Sequence, residues 1–242
     1  MKKTIVFLTL LLAGSTFAQD AGFYDDGGSY PFQIGFYPTL QLVPYDQDVT
    51  GVRISLIGCN RNMTGLDLGI INQSDESFRG IAVAPINLSK GDAGGIQIGF
   101  INHVNGDVVG IQGIPLVSWY HALNIVHGQI TGLQGGFYNQ AETLSGMQGG
   151  AINVAYNSKG GMVGLYNYSD SMGGIGLGLV NVAYEDAHGL QIGLYNGAGH
   201  MRGLQLGVVN QAQTIEGLQL GLVNVVSQKE WMPVMVIANW QF

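Results

Sequence analysis

The chain has little of the chemistry on which most stabilising and catalytic sites depend. It contains a single cysteine among 242 residues, Cys59, which excludes an intramolecular disulfide and a thiolate metal cluster. Charged residues account for only 10% of the chain, whereas soluble domains usually carry about 25%. No uninterrupted apolar run reaches the roughly 18 residues of a membrane-spanning helix. The composition therefore argues against a disulfide scaffold, an ordinary soluble domain and a helical membrane protein.

Basic side chains are scarce as well. The 9 Lys and Arg residues stand against 16 Asp and Glu residues, which gives a net charge of −7 at pH 7. Because phosphate binding needs a basic patch, we expect no nucleic acid partner. His121 and His127 have no further ligands near them in the sequence, and no Ser, His and Asp group has the spacing of a nucleophile with its base. We therefore predict no enzyme activity, no catalytic residues, no cofactor and no metal.

Residues 1–18 have the pattern of a secretory signal peptide. Lys2 and Lys3 precede a short apolar run, and Ala18 supplies the small residue of a cleavage site. Cleavage there removes both lysines and changes the net charge from −7 to −9. We therefore expect an exported protein of the cell outer membrane or the cell surface.

Glycine is abundant, with 39 residues, and much of it belongs to a repeated phrase. The phrase Gly-Leu-Gln-Leu-Gly-Leu-Val-Asn is clearest at residues 217–224, and its closing asparagines fall 14 or 15 residues apart, as from Asn210 to Asn224 and from Asn181 to Asn196. A fixed short period means that one structural unit is copied many times. We assign structural roles to the recurring positions Gly69, Gly99, Gly136, Gly164, Gly193, Gly207, Gly221, Asn181, Asn196, Asn210 and Asn224.

Each repeat has the pattern of one β-strand followed by a turn. Leu190 and Ile192 alternate with Gln191 and Gly193, which is the period of two that predicts a strand. The four or five residues between strands hold most of the charge and the usual turn residues. We therefore predict a single all-β domain over residues 19–242, with an irregular insertion at about residues 118–129.

The C-terminal residues favour a membrane barrel. Phe242, Trp240, Ala238, Val236 and Val234 are apolar at every second position, and the chain ends on an aromatic residue. This terminus resembles the last strand of bacterial outer-membrane barrels, in which such residues mark the chain for insertion. The resemblance implies that Trp240 and Phe242 form an insertion signal, and that outer-membrane lipid and the barrel-insertion machinery are partners.

The main interpretation is an antiparallel outer-membrane β-barrel of roughly 14–16 strands, built from the 14–15-residue repeats. Antiparallel pairing is compatible with the repeat, because a hairpin centred on His200 sets Gly193 opposite Gly207 and keeps both faces. The interior would hold the Gln, Gly and Tyr rows. Such a barrel would serve as a structural protein or a passive pore.

The alternative is a parallel β-solenoid with about 14 residues per coil. Connectors of nearly uniform length favour it, because every coil of a solenoid meets its neighbour in the same orientation. It would be a surface-displayed adhesin or binding module that uses its flat glutamine-glycine face. Arg53 and Asp67, which both lie in the glutamine row, distinguish the two folds: they stack about 4.8 Å apart in a solenoid, whereas Arg53 lies opposite Ile71 in a barrel.

The repeat is also similar to that of a loosely characterised group of bacterial surface-repeat proteins, which carry tandem Gly-Leu-Gln-Leu-Gly-Leu-Val-Asn phrases behind a signal peptide. The similarity covers roughly residues 51–239. It implies a location in the cell envelope and brings no catalytic residues. The surface partner of such a protein is left open.

Overall fold

The computed structural model describes residues 28–113 and 122–242, and the regular secondary structure of this part is entirely β-strand. The chain divides into two compact units, Met1–Gly113 and Ile114–Phe242. The predicted signal peptide lies outside the described residues. The strands of the first unit are β1 Ser29–Tyr37, β2 Leu40–Gln41, β3 Asp48–Val83, β4 Ile86–Ser89, β5 Ala93–Ile98, β6 Ile101–Val104 and β7 Val108–Gly113. Those of the second are β8 Leu123–Val126, β9 Gln129–Ser158, β10 Gly161–Val226 and β11 Val234–Gln241.

Strands in both units pair in parallel with their own copies one repeat away. In the first unit β5 pairs with β7 so that Gly95 lies beside Gly110. In the second unit β9 pairs with β10 so that Asn153 lies beside Asn167. Each unit therefore winds as a parallel β-solenoid in which one coil equals one repeat.

This topology shows that the antiparallel barrel was the wrong interpretation and confirms the solenoid alternative. In an antiparallel meander successive turns lie at opposite ends of the sheet, so nothing requires them to be alike. In a solenoid every connector lies above the equivalent connector of the previous coil, so all of them are built alike. The uniform connectors were the decisive sequence signal.

Each coil consists of two extended segments that enclose a thin interior. In the coil formed by residues 203–216, the inward side chains include Gln205, Asn210 and Ile215, all buried. The first segment directs Leu204 and Val208 outward. The glutamine row is therefore interior, and the flat glutamine-glycine face expected of the solenoid alternative is not exposed to a partner.

The last strand covers the end of the final coil. β11 runs antiparallel to the end of β10, so that Trp240 lies beside Leu218 and Asn239 beside Gln219. Lys229 donates from Nζ to the Trp240 carbonyl at 2.9 Å and to Asn239 Oδ1 at 2.8 Å. β11 therefore covers the last coil with an antiparallel pairing that differs from the parallel pairing of the repeat. The alternating apolar terminus, interpreted from sequence as a barrel-insertion strand, occupies this position.

Regular pairing in the second unit begins inside the stretch that was predicted to be irregular. Residues 122–129 of that stretch are described, and β8 pairs in parallel with β9 so that Asn124 lies beside Asn139. The Gly-Leu-Gln half of the phrase does not precede Asn124, and this is why the sequence pattern was not recognised there.

Candidate interaction surface

The recurring asparagines form a continuous ladder of side-chain hydrogen bonds through the second unit. Each Nδ2 donates to the Oδ1 of the asparagine one coil further along the chain, over 2.7–2.9 Å. The same Nδ2 of Asn196 also donates to the Leu206 carbonyl at 2.9 Å. An amide carries both donors and an acceptor, so it can bond to identical groups above and below it. The ladder members are Asn124, Asn139, Asn153, Asn167, Asn181, Asn196, Asn210 and Asn224.

The glutamines form a second, interrupted ladder. Gln219 Nε2 donates to Gln205 Oε1 at 2.8 Å, and Gln205 Nε2 donates to Gln191 Oε1 at 2.7 Å. Met162 and Gly176 occupy the same position in two other coils and interrupt it. These amides are fully buried, and their pairing satisfies polar groups that would otherwise be costly to bury, except Gln219 Oε1 at the end of the ladder, which has no partner.

The glycine row predicted from sequence lies where the asparagine of the neighbouring coil crosses the interior. A Cβ placed on Gly207 would lie 2.6 Å from Asn196 Nδ2 and 2.6 Å from the Gly193 carbonyl oxygen. These glycines therefore permit close approach between coils and leave no space for a ligand. The sequence interpretation overlooked the glycines that open each phrase, of which Gly203 and Gly217 have φ of 129° and 146°. A side chain there would be strained and would meet the backbone of the preceding coil.

One buried ion pair occupies the glutamine row of the first unit. Arg53 donates to both carboxylate oxygens of Asp67, at 2.8 and 2.6 Å, and also to Asn60 and the Gln73 carbonyl. Both charged side chains are almost completely buried, with exposures of 0% and 1%. Burial raises the pKa of the Asp67 carboxyl, and the Arg53 guanidinium opposes that rise. The stacking that distinguishes a solenoid from a barrel is therefore present, in a place that substrates cannot reach.

In the seven coils whose first segments begin at residues 132, 146, 160, 174, 189, 203 and 217, the outward side of the first segment forms a flat surface, which we call the apolar face. It carries no charged or polar side chain, and Leu194 and Leu222 on it are 56% and 65% exposed. Trp240 of β11 extends it beside Leu218. The apolar face consists of Leu133, Gly135, Phe137, Met147, Gly149, Ala151, Gly161, Val163, Leu165, Ile175, Leu177, Leu179, Leu190, Ile192, Leu194, Leu204, Leu206, Val208, Leu218, Leu220 and Leu222.

The first unit has the same arrangement in its own coils. Ile54, Ile70 and Phe100 occupy equivalent positions and are 44–53% exposed. The sequence signal for such a surface was present in every copy, because the leucine positions of the phrase never hold a polar residue. The partner-binding side of a solenoid was instead predicted to be the glutamine row, so the leucine positions were not identified as a surface.

Charged residues lie mostly on the connectors and the second segments, and only Lys229, whose Nζ is 6.0 Å from the centroid of the Trp240 ring, is described beside the end of the apolar face. Arg202 and Glu216 form an ion pair of 3.0 Å between the connectors of successive coils, and both side chains are largely exposed. Gln211 and Gln213 point outward from the second segment. The coil is thus apolar on one outer side and polar on the other.

No family model, curated protein or solved structure matches the chain. The similarity to surface-repeat proteins therefore stays a prediction. Among the described residues, none forms a helix of the length and apolar character needed to cross a membrane. Residues 28–113 and 122–242 also contain no cluster of three or more His, Cys, Asp or Glu side chains arranged to hold a metal ion. The function of the apolar face therefore has to be inferred from the chemistry of its own side chains.

Proposed function

We propose that the chain is an exported, non-enzymatic β-solenoid that is displayed at the cell surface and makes its contacts through the apolar face. The signal-peptide pattern of residues 1–18 and the similarity to surface-repeat proteins support export and display. The passive pore and the expected partners of a barrel, outer-membrane lipid and the insertion machinery, depended on barrel topology. The proposal therefore includes neither the pore nor these two partners.

The observation that carries the proposal is the extent of the apolar face. Six extended residues span roughly 20 Å along a strand, and seven coils at about 4.8 Å span about 34 Å, so the face covers about 700 Å². The largest apolar patch on a typical monomeric protein is about 300–600 Å², and larger ones mark sites of interaction. A surface of this kind is favourable only when another apolar surface covers it.

The apolar face offers apolar area that a partner can bury, and it offers no reactive group. Its aliphatic and aromatic side chains offer neither a nucleophile nor an acid or base. The amides that could polarise a substrate are paired with each other inside the coil. Binding is therefore the function that these groups support best.

Surface display is tested by labelling Gln213→Cys on intact cells with a maleimide that cannot cross membranes. Gln213 is exposed, whereas Cys59, the only native cysteine, is buried, so the wild-type chain is the matched control. We expect the variant to be labelled on intact cells and the wild type to stay unlabelled. Labelling of the variant only after lysis would refute display at the cell surface.

A further inference from the structure

We propose that the apolar face is the interface with a second copy of this chain, packed face to face about a two-fold axis that runs parallel to the strands through the coil of residues 174–188. The inference rests on the proposed function, because it names the partner of the same surface. It does not depend on display at the cell surface.

Side-chain size along the apolar face is distributed so that one half complements the other. In the three coils of residues 133–165, four of the nine outward positions hold glycine or alanine. In the three coils of residues 190–222, all nine hold leucine, isoleucine or valine. The first half therefore has a hollow, and the second half is a raised aliphatic surface.

A two-fold axis along the strands through the central coil brings the hollow of one copy against the raised half of the other. It reverses the order of the coils but keeps each position along the strand, so the first coil faces the seventh and the second faces the sixth. Leu177, in the middle of the central coil, then lies on the axis. Interdigitation of large and small side chains is what close packing between two sheets requires. Three of the nine facing pairs set a glycine against a leucine: Gly135 with Leu220, Gly149 with Leu206, and Gly161 with Leu190.

The observations favour a second copy over a lipid bilayer. A fluid bilayer gains nothing from a hollow matched to a raised half, whereas a two-fold interface uses both. Residues 122–242 contain three basic residues, Lys159, Arg202 and Lys229, and six acidic ones, Glu142, Asp170, Glu185, Asp186, Glu216 and Glu230. This balance does not attract anionic headgroups. Two copies would bury about 1,400 Å², which lies within the range of about 1,200–2,000 Å² for stable interfaces.

The first experiment measures the mass of the purified, folded chain by size exclusion with light scattering over a dilution series. We expect twice the monomer mass for the wild type. Gly135→Leu should raise the dissociation constant at least about tenfold by filling the hollow, while the monomer stays folded because a Cβ on Gly135 would contact nothing within 4 Å. Leu220→Ala should also weaken the dimer. The combination Gly135→Leu with Leu220→Ala should restore it, and Gln213→Leu on the polar side is the control that should change nothing.

The second experiment determines which axis relates the copies. Oxidation of Leu177→Cys should give a covalent dimer. Gly135→Cys and Leu220→Cys should each stay monomeric in denaturing gels when oxidised alone, and should cross-link when the two variants are mixed. Cross-linking of Gly135→Cys alone would overturn the proposed axis, because it would place each coil opposite its own copy.

A wild-type chain that stays monomeric at every concentration would overturn the inference, as would co-flotation of monomers with phosphatidylethanolamine–phosphatidylglycerol vesicles. Failure of the combined variant to restore the dimer would also overturn it. None of these results bears on surface labelling of Gln213→Cys, so failure of the dimer and failure of the proposed location are distinguishable.

Discussion

The buried ion pair between Arg53 and Asp67 should show strong energetic coupling. Arg53→Gln leaves a carboxylate that is 1% exposed without its cation, and Asp67→Gln leaves a guanidinium that is 0% exposed without its anion. Removing one member of a buried ion pair costs about 3–5 kcal/mol, because the remaining charge is uncompensated. We expect each single variant to lose about this much unfolding free energy.

The combination of both substitutions should recover most of that loss. Two glutamines at these positions reproduce the pairing seen between Gln205 and Gln191, where the amide bond is 2.7 Å. A neutral hydrogen bond contributes about 1 kcal/mol net, and replacing both members of a buried ion pair is often close to neutral. The double variant should therefore lie within about 2 kcal/mol of the wild type, and the coupling should be about 3 kcal/mol or more.

The measurement is a double-mutant cycle from urea unfolding followed by far-UV circular dichroism at pH 7. The matched control is the cycle for Arg202→Gln and Glu216→Gln, an ion pair with the same spacing of one coil whose side chains are 58% and 66% exposed. Exposed pairs contribute little, so its coupling should stay below about 1 kcal/mol. Additive effects for Arg53 and Asp67 would mean that these residues are not neighbours, which would refute the parallel stacking of their coils.

Three further predictions follow from the same interior. The destabilisation caused by Arg53→Gln should shrink as the pH falls from 7 toward 4, because burial raises the pKa of Asp67 above its ordinary 3.8. A folded state that holds the proton more tightly than the unfolded state gains stability on acidification. Urea unfolding at several pH values that showed no change in this destabilisation, or an increase at low pH, would contradict the prediction. Gly207→Ala should cost about 1–3 kcal/mol of unfolding free energy, whereas Gly135→Ala should change it by less than about 0.5 kcal/mol, since only the Cβ at position 207 meets neighbouring atoms. Equal thermal unfolding of the two variants would disprove the close approach of neighbouring coils at Gly207. Asn196→Leu should cost about 2–5 kcal/mol in urea unfolding, because it removes the acceptor that Asn181 Nδ2 shares with the Ile192 carbonyl and the donor to Asn210 Oδ1 and the Leu206 carbonyl. An effect below about 0.5 kcal/mol would exclude a continuous ladder.

The repeat period determined coil length and strand content but could not choose between parallel and antiparallel pairing. A hairpin centred on His200 sets Gly193 opposite Gly207, and stacking one coil on the next places the same two glycines together. Residues that share a side of the strand continue to share it in both arrangements. Only the uniform connectors separated the two folds, and the aromatic C-terminus was given more weight.

The sequence also shows which residues share a side of a strand without showing which side is interior. Alternation groups the leucines together and the glutamines together in either orientation. Amide side chains become suitable interior groups when hydrogen-bond partners lie one coil away, as Gln205 has in Gln191 and Gln219. That condition depends on the parallel stacking, so the interior position of the glutamine row followed from the fold and not from the pattern alone.

The coils hold amide side chains in their interior and apolar side chains on one outer side, which reverses the usual distribution of polarity. This reversal gives the apolar face its role in association. Inside the coils, stacking is directed by amide ladders, and the leucine rows still keep a large part of their surface outward, 56% for Leu194 and 65% for Leu222. Their burial free energy, about 17 kcal/mol per copy at 25 cal/mol per Å² over about 700 Å², is available only when a second surface covers them. Association costs an estimated 4–15 kcal/mol in lost motion, so a face-to-face dimer remains favourable even when a large part of that burial is offset. Replacing Leu194, which is 56% exposed on the apolar face, by aspartate should therefore change the unfolding free energy of the monomer by no more than about 1 kcal/mol while it abolishes the dimer. A Leu194→Asp chain that unfolds readily as a monomer would show instead that this leucine row is needed to stabilise the coil itself.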